Sequence, residues 1–415
     1  MNYRENLEEL HKYIYQRDVS NALKKEFFMY EKYVKPLEDE NHHYRCFRDW
    51  SRLMCQMGQF FKKGPYEADP EKIAFFTHNG AMLGHTEVLL ELLKNKGDRD
   101  VTVFIHSTPK SRFPQILKEL GVKLVILGNS PNLLDDFRKM QNIIREERIQ
   151  TLVWVSSPVS SSFALGMRLA NNQVYWTLRY HTITLPVIDK YITGWGKEGE
   201  KVVGNTVWKV CPAPLAVSVT DVDREEVERV RSLFEEKKLV GVIAREEKTA
   251  HPDFLRAVVR ILKENPDTGF IYAGRENPQS ITDFFKRQGV SKRTHFVGWV
   301  NPAVYLRVID VFLETFPLGC GVVPYMALYM GLPYVGMELP YTVFGNTKTL
   351  MLETASNSDE YVSLANRMLA NEDFRRAMGS ASKAFYDWEK GKSKSYSEMF
   401  FDECIGKSSA LQRVA

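Results

Sequence analysis

Two different periods of apolar residues follow one another along the chain. Over residues 1–66, apolar and aromatic positions recur at helical spacing: Leu7, Leu10 and Ile14, then Leu23, Phe27 and Tyr30, then Phe47, Trp50, Leu53, Met54 and Met57. No strand-like run interrupts them. Pro36 punctuates the stretch and Gly64-Pro65 ends it, so a small all-helical N-terminal domain is predicted over residues 1–66.

From Lys72 the pattern changes to short apolar runs at 73–76, 101–105, 124–127 and 151–155, separated by amphipathic stretches near 87–94, 113–120 and 133–147. Runs of that length between helices predict parallel strands covered on both faces. Further runs at 173–176 and 191–193 lead into residues 194–214, which hold several glycines with Pro212 and Pro214 and read as a linker. The alternation then restarts, with strands at 239–244, 269–273, 295–297 and 311–313 and helices at 252–264, 281–288 and 301–309. The expected architecture is α/β: two tandem Rossmann-like domains, 67–214 and 215–385, facing a cleft, with a C-terminal helix and tail over 386–415 packing back through Trp388, Tyr396, Met399 and Phe400.

Composition narrows the class. The 415 residues are 44% hydrophobic and 26% charged, a globular balance, and their number favours two domains. A net charge of +4, with basic and acidic residues interspersed, gives no reason to expect a nucleic-acid partner. The five cysteines form no CxxC pair, which fits neither a zinc site nor a disulfide framework and favours a reducing compartment. The first residues carry no apolar core of a signal peptide and no run suffices to span a bilayer, so a cytoplasmic protein without membrane attachment is expected.

Candidate chemistry collects at strand ends. Residues 311–337 read VFLETFPLGCGVVPYMALYMGLPYVGM, a strand, a glycine-lined loop (Gly319, Cys320, Gly321, Val322, Val323) and a short helix. Bare backbone N–H groups at such a turn suit a phosphate, or the segment is an ordinary strand-turn-helix of a parallel sheet. Arg245 and Lys248 follow the strand at 239–244 and supply cations for a diphosphate, or are solvated charges paired with Glu246 and Glu247. The stretch His295-Phe-Val-Gly-Trp299-Val300-Asn301 wraps a nucleobase, or turns tightly with Trp299 in the core. After the first strand come His78, Asn79 and His85; His85 lies at a helix start, where the dipole favours a neutral imidazole able to act as a base, or it only caps or packs, and His78 is the competing candidate. Arg179-Tyr180-His181 adds a third imidazole on the same side. Asp221 and Asp223 resemble a metal-binding DxD pair but directly precede a helix and are assigned to capping, and no metal site is expected.

Several of these stretches resemble one family. Ser162-Phe-Ala-Leu-Gly-Met-Arg-Leu-Ala-Asn-Asn-Gln-Val-Tyr-Trp176, Tyr180-His181-Thr182, Asp189-Lys-Tyr-Ile-Thr193, Glu314-Thr-Phe-Pro317 with Gly319, and Ala327-Leu-Tyr-Met-Gly-Leu-Pro333 are similar to runs in glycosyltransferase family 41. That family holds the protein O-GlcNAc transferases and the bacterial cytoplasmic protein N-glucosyltransferases. The resemblance covers about residues 72–400 and implies a GT-B fold with a UDP-sugar donor. It further implies that Lys248 contacts the donor diphosphate, that the Gly321-Val322-Val323 backbone cradles it, that Val300 lies near the uracil, and that His85 is the acceptor-side histidine.

The sequence also departs from the family pattern. Met326 stands where the family holds the ribose with an acid, so either the ribose is held from elsewhere, with Glu338 as the candidate, or the nucleotide differs; Val322 and Val323 replace hydroxyl residues; and the tetratricopeptide array is absent. Retaining GT-B enzymes, which the loop also resembles, carry a Glu at each end of it, where this chain has Leu318 and Met326. The expected activity is metal-independent, inverting transfer of a hexose from a UDP-sugar to a protein or peptide side chain, with no cofactor. The alternative is a non-catalytic GT-B partner that binds an acceptor polypeptide or supports an active transferase. The N-terminal helices are left with three roles: binding acceptor, forming an oligomer, or covering the first sheet.

Overall fold

The computed structural model describes residues 2–35, 40–107, 111–128, 132–156, 158–178, 181–196, 199–203, 205–217, 219, 221–276, 278–339, 342–343 and 351–405. Pro36, Arg179 and Tyr180 lie outside them. The chain forms two compact units, one of residues 1–215 with 393–415 and one of residues 216–392.

The first unit opens with helices α1 (Tyr3–Tyr15), α2 (Val19–Met29), which continues into a π turn (Tyr30–Val34), and α3 (Glu40–Gln59). Strands and helices then alternate: β1 (Asp69–Asn79), α4 (Gly84–Lys94), β2 (Val101–Ser107), α5 (Phe113–Glu119), β3 (Lys123–Ile126), α6 (Leu133–Glu146), β4 (Ile149–Val155), α7 (Ser161–Gly166), β5 (Asn172–Thr177) and β6 (Lys190–Thr193). The helical stretch at 1–66 is not a domain of its own. Trp50, Met54 and Phe47 of α3 share one core with Phe76, Trp154 and Phe163 of the sheet and α7. Covering the first sheet is therefore what these helices do in the fold.

Residues 194–214 are not a linker. They hold β7 (Gly199–Val203) and β8 (Thr206–Val210), an antiparallel hairpin whose second strand pairs in parallel with β6. The alternation in Thr206-Val-Trp-Lys-Val210 is real but short: Trp208 and Val210 face the core while Val207 is exposed. The sheet thus has eight strands in the order β3-β2-β1-β4-β5-β6-β8-β7.

In the second unit, α8 (Arg224–Arg231) leads into β9 (Lys238–Ile243), α9 (Glu246–Thr249), α10 (Pro252–Glu264), β10 (Thr268–Ala273), α11 (Gln279–Arg287), β11 (Thr294–Phe296), α12 (Pro302–Val308), β12 (Val311–Leu313), α13 (Val323–Tyr329) and β13 (Tyr334–Val335). The five strands are parallel in the order β11-β10-β9-β12-β13. β9, β10 and β12 are nearly continuous apolar runs because both faces of the sheet are covered. Helices α14 (Ser358–Ala370) and α15 (Glu372–Gly391) complete this unit.

The expected domain boundary at 385 falls inside α15, because the crossing back to the first unit comes only at Ser393. There α16 (Ser393–Ile405) packs Phe400, Phe401 and Cys404 against Phe75 and Trp176, and Asn172 Nδ2 donates to Cys404 O at 3.0 Å. Tyr396 and Phe400 are buried as expected, whereas Trp388 and Met399 are exposed; the Lys392 ammonium instead lies 3.2 Å above the Trp388 ring.

Candidate functional site

In the second unit, β12 delivers the chain to a tight loop. Thr315 Oγ1 donates to Leu318 O at 2.6 Å and the Thr315 amide points at Cys320 Sγ, 3.4 Å away, so residues 315–320 fold back on themselves. Gly321 sits at φ +81°, a conformation that a side chain strains. The turn then feeds α13 through Val322, with no side chain capping the helix start and Pro324 in its first turn. Gly319, Cys320, Gly321, Val322 and Val323 therefore form one surface of backbone, half-buried apart from Gly319, which is buried.

Lys248 reaches this loop. It lies in α9, just beyond the end of β9, and its ammonium donates to Gly319 O. Arg245 starts the same turn, but its guanidinium pairs with Glu247 at 2.7 Å. Of the two cations read from the sequence, Lys248 is the one seen on the loop. Glu246 is used differently: its carboxylate accepts from the Glu276 amide at 2.5 Å and lies over Gly274, where a Cβ would come within 3.0 Å of it.

Beneath the loop lies a group that sequence reading passed over. Glu314, the residue after β12, is buried, and burial pushes its carboxyl up to about 8 although the Lys248 charge and the Val343 amide at 3.2 Å oppose the shift. Tyr361 Oη donates to the Glu314 carbonyl at 3.0 Å. The available signal was a charged residue at the end of an apolar strand, which spacing alone cannot separate from a solvated one.

The loops after β10 and β11 meet, with the Gly274 amide donating to Gly298 O at 3.1 Å. Trp299 is 74% exposed with the Arg275 guanidinium 5.6 Å from its ring centroid, and Val300 is half-buried. The alternative of Trp299 in the core is thereby overturned: Gly298, at φ +72°, turns the chain outward before it reaches α12. Glu338 is exposed after β13 and accepts from Thr354 Oγ1 at 2.6 Å. Met326 is half-buried on α13.

In the first unit, the candidate residues separate. Asn79 Oδ1 accepts from the Ala81 amide at 3.0 Å and so shapes the loop after β1. His85 lies in the first turn of α4, half-buried. His78 is half-buried beside Phe76 and Trp154, its Nε2 is 3.2 Å from Val159 O, and burial pushes the imidazole down to about 4. A ring that stays neutral donates that hydrogen to the carbonyl. His181 belongs elsewhere: it is buried beneath the N-terminal helices, stacked on His43 with ring centroids 5.1 Å apart. An open acceptor-side position does not describe it. Asp223, as expected, caps α8 by accepting from the Glu225 amide at 3.0 Å. Among the described residues no group of three or more His, Cys, Asp or Glu side chains is placed so that it could hold a metal ion.

Residues 237–371 match the model of the family described as glycosyl transferases group 1, a span that includes Lys248, Trp299, the glycine loop and Glu338. That stretch of the second unit is similar to a group 1 glycosyltransferase domain. Solved structures extend the likeness beyond that domain. HepE of Anabaena, in complex with UDP and glucose, is 14% identical with a TM-score of 0.59 over 80% of this chain and 98% of its own. A mutant O-GlcNAc transferase of Thermobaculum terrenum is 14% identical with a TM-score of 0.63 over 100% of this chain and 86% of its own. WaaG, a glycosyltransferase involved in lipopolysaccharide biosynthesis, is 13% identical with a TM-score of 0.52 over 80% of this chain and 100% of its own. The fold is GT-B, as the resemblance implied. No curated protein matches the sequence. Among the described residues no helix is long and apolar enough to cross a membrane.

Proposed function

We propose that this glycosyltransferase moves a hexose from a UDP-sugar to a protein or peptide side chain, with inversion and without a metal ion or other cofactor. The observation that carries the reading is the Lys248 ammonium held on the Gly319 carbonyl, inside the span that matches the group 1 model. An ammonium fixed at the rim of a backbone-lined loop is suited to a diphosphate whose charge grows as the sugar leaves. The amides of Gly321, Val322 and Val323 would share that charge. Trp299 and Val300, with Arg275 beside the indole, present a flat apolar face for the uracil. Glu338 takes the ribose hydroxyls in place of the absent acid at Met326. The histidine of the first unit that orients the acceptor nucleophile is His85, with Asn79 and His78 shaping its loop.

Donor identity draws support from HepE, which was solved with UDP and glucose, and the protein acceptor from the O-GlcNAc transferase likeness and the family 41 motifs. A second reading, a non-catalytic GT-B partner that binds an acceptor polypeptide, is favoured by Met326 and by Val322 and Val323 in place of hydroxyl residues. Calorimetric titration with UDP, ADP and GDP in metal-free buffer separates the two. Selective UDP binding that Lys248→Ala weakens supports the transferase. No nucleotide bound supports the partner protein, and a preference for ADP or GDP overturns the donor.

A further inference from the structure

One arrangement in the first unit was not singled out by any motif. In the β1–β2 register Thr77 pairs with Ile105 and Asn79 with Ser107, so His78 and His106 are cross-strand neighbours. They continue the face that carries Phe76, Phe104 and Trp154, and they end it at the carboxyl edge of the sheet. Their rings stand edge to face with centroids 6.4 Å apart. Carboxyl edges of open parallel sheets are where such folds place ligands.

The two imidazoles are held differently. His78 is half-buried, with its Nε2 3.2 Å from Val159 O and 3.4 Å from Ser160 Oγ. The His106 side chain keeps 20% of its surface open, and its Nδ1 lies 3.0 Å from Oδ2 of Asp136, which is only 4% exposed. Among the described residues no aligned hydrogen bond reaches that buried oxygen. Burial raises the Asp136 carboxyl while the His106 and Lys139 charges oppose the shift, and where that carboxyl is ionised, its oxygen so close to a ring nitrogen is favourable only if the nitrogen carries hydrogen. That choice leaves the lone pair on Nε2. A proton gained there makes an imidazolium whose charge the carboxylate offsets, with Lys139 and Asp135 of α6 as the further charges near Asp136.

We propose that His106, oriented by Asp136, is the proton acceptor for the acceptor nucleophile. This rests on the transferase reading above and assigns deprotonation to His106 while His85 orients. In the step, the acceptor oxygen or nitrogen forms its bond to the anomeric carbon and gives its proton to His106 Nε2. The bond from that carbon to the diphosphate oxygen breaks, and its electron pair leaves with UDP. His106 then returns the proton to solvent. Asp136 is a positioning residue; it touches His106 and not the substrate.

Hydrolysis of UDP-glucose and of UDP-GlcNAc, with water as acceptor, tests the assignment without knowledge of the natural acceptor. UDP release is measured for wild type, His106→Ala and Asp136→Asn, each with and without added imidazole, beside their UDP affinities and melting temperatures. The expected result for His106→Ala is a fall of about 100-fold or more in turnover, partial recovery with imidazole, and unchanged UDP affinity. Asp136→Asn is expected to fall about tenfold with no recovery by imidazole, because the ring is present but misheld. Turnover of His106→Ala within about threefold of wild type, or a fall that imidazole does not relieve in a variant melting like wild type, overturns the assignment. Wild type that releases UDP from neither sugar overturns it together with the transferase reading, a result that the variants alone could not produce.

Discussion

Gly58 of α3 and Gly166 of α7 bring two helices backbone to backbone. A Cβ on Gly58 would lie 2.1 Å from Phe163 O, and one on Gly166 would lie 2.3 Å from Cys55 O. The obstacle in each case is main chain, which cannot swing aside as a side chain does. This contact is why the N-terminal helices belong to the first unit.

Gly58→Ala and Gly166→Ala are therefore expected to destabilise the first unit by about 1–3 kcal/mol, although alanine is the better helix former at an unhindered site by about 1 kcal/mol. Urea unfolding followed by circular dichroism checks this. A stabilising Gly58→Ala would mean that the helices are not in backbone contact.

Lys248→Ala is expected to weaken UDP binding by about 10- to 100-fold, the range for one charge-assisted contact to a phosphate. Lys248→Arg should restore little of it, since the planar fork does not reproduce a point charge held on the Gly319 carbonyl. Calorimetry on the two variants reads the difference. Equal affinity in wild type and Lys248→Ala would remove the ammonium from the phosphate site.

Trp299 invites a complementary test, because an indole that is 74% exposed has no share in the core. Trp299→Ala is expected to leave the melting temperature within about 1 °C of wild type and to weaken UDP binding by about 5- to 30-fold through lost stacking, roughly 1–2 kcal/mol. Inorganic pyrophosphate, which has no base, should bind both proteins alike. A loss shared by pyrophosphate would show that Trp299 supports the loop and not the base.

The buried carboxyl of Glu314 makes stability depend on pH. Its folded value is raised to about 8 from an ordinary value of 4.5, with burial the main cause, so the neutral form is favoured in the folded state. The stabilisation is fully present below about pH 4.5 and is lost as pH rises toward 8, because the unfolded chain ionises first. Glu26, buried where it accepts from the Ser160 amide at 3.1 Å, is raised to about 8 for the same reason in the first unit. Denaturant unfolding between pH 5 and 9 should show falling stability in wild type and a flatter profile in Glu314→Gln, with the variant the more stable of the two at pH 8. Parallel profiles would show that Glu314 is ionised in the folded protein.

What the sequence by itself determined is what local periodicity carries. Helical spacing before residue 66, alternating strands and helices after Lys72, the second α/β unit and the glycine turn at 319–321 all depend on residues within a few positions of one another, and the structure has them. Lys248 at the end of a strand was legible for the same reason, since strand ends can be counted.

Tertiary structure decided whatever depends on a distant neighbour. The hairpin at 199–210 takes its place through pairing with β6, and the N-terminal helices join the first unit through Gly166, more than a hundred positions from Gly58. His181 is buried by His43, Trp299 is turned out by a glycine, and Glu314 is closed in by Val343 and Tyr361. His106 and Asp136 illustrate the limit most plainly. An imidazole on a strand and a carboxylate thirty residues on carry no shared period, and only the folding of α6 against β2 brings them to 3.0 Å. Side-chain chemistry is local in space, and a linear pattern records only what is local in sequence.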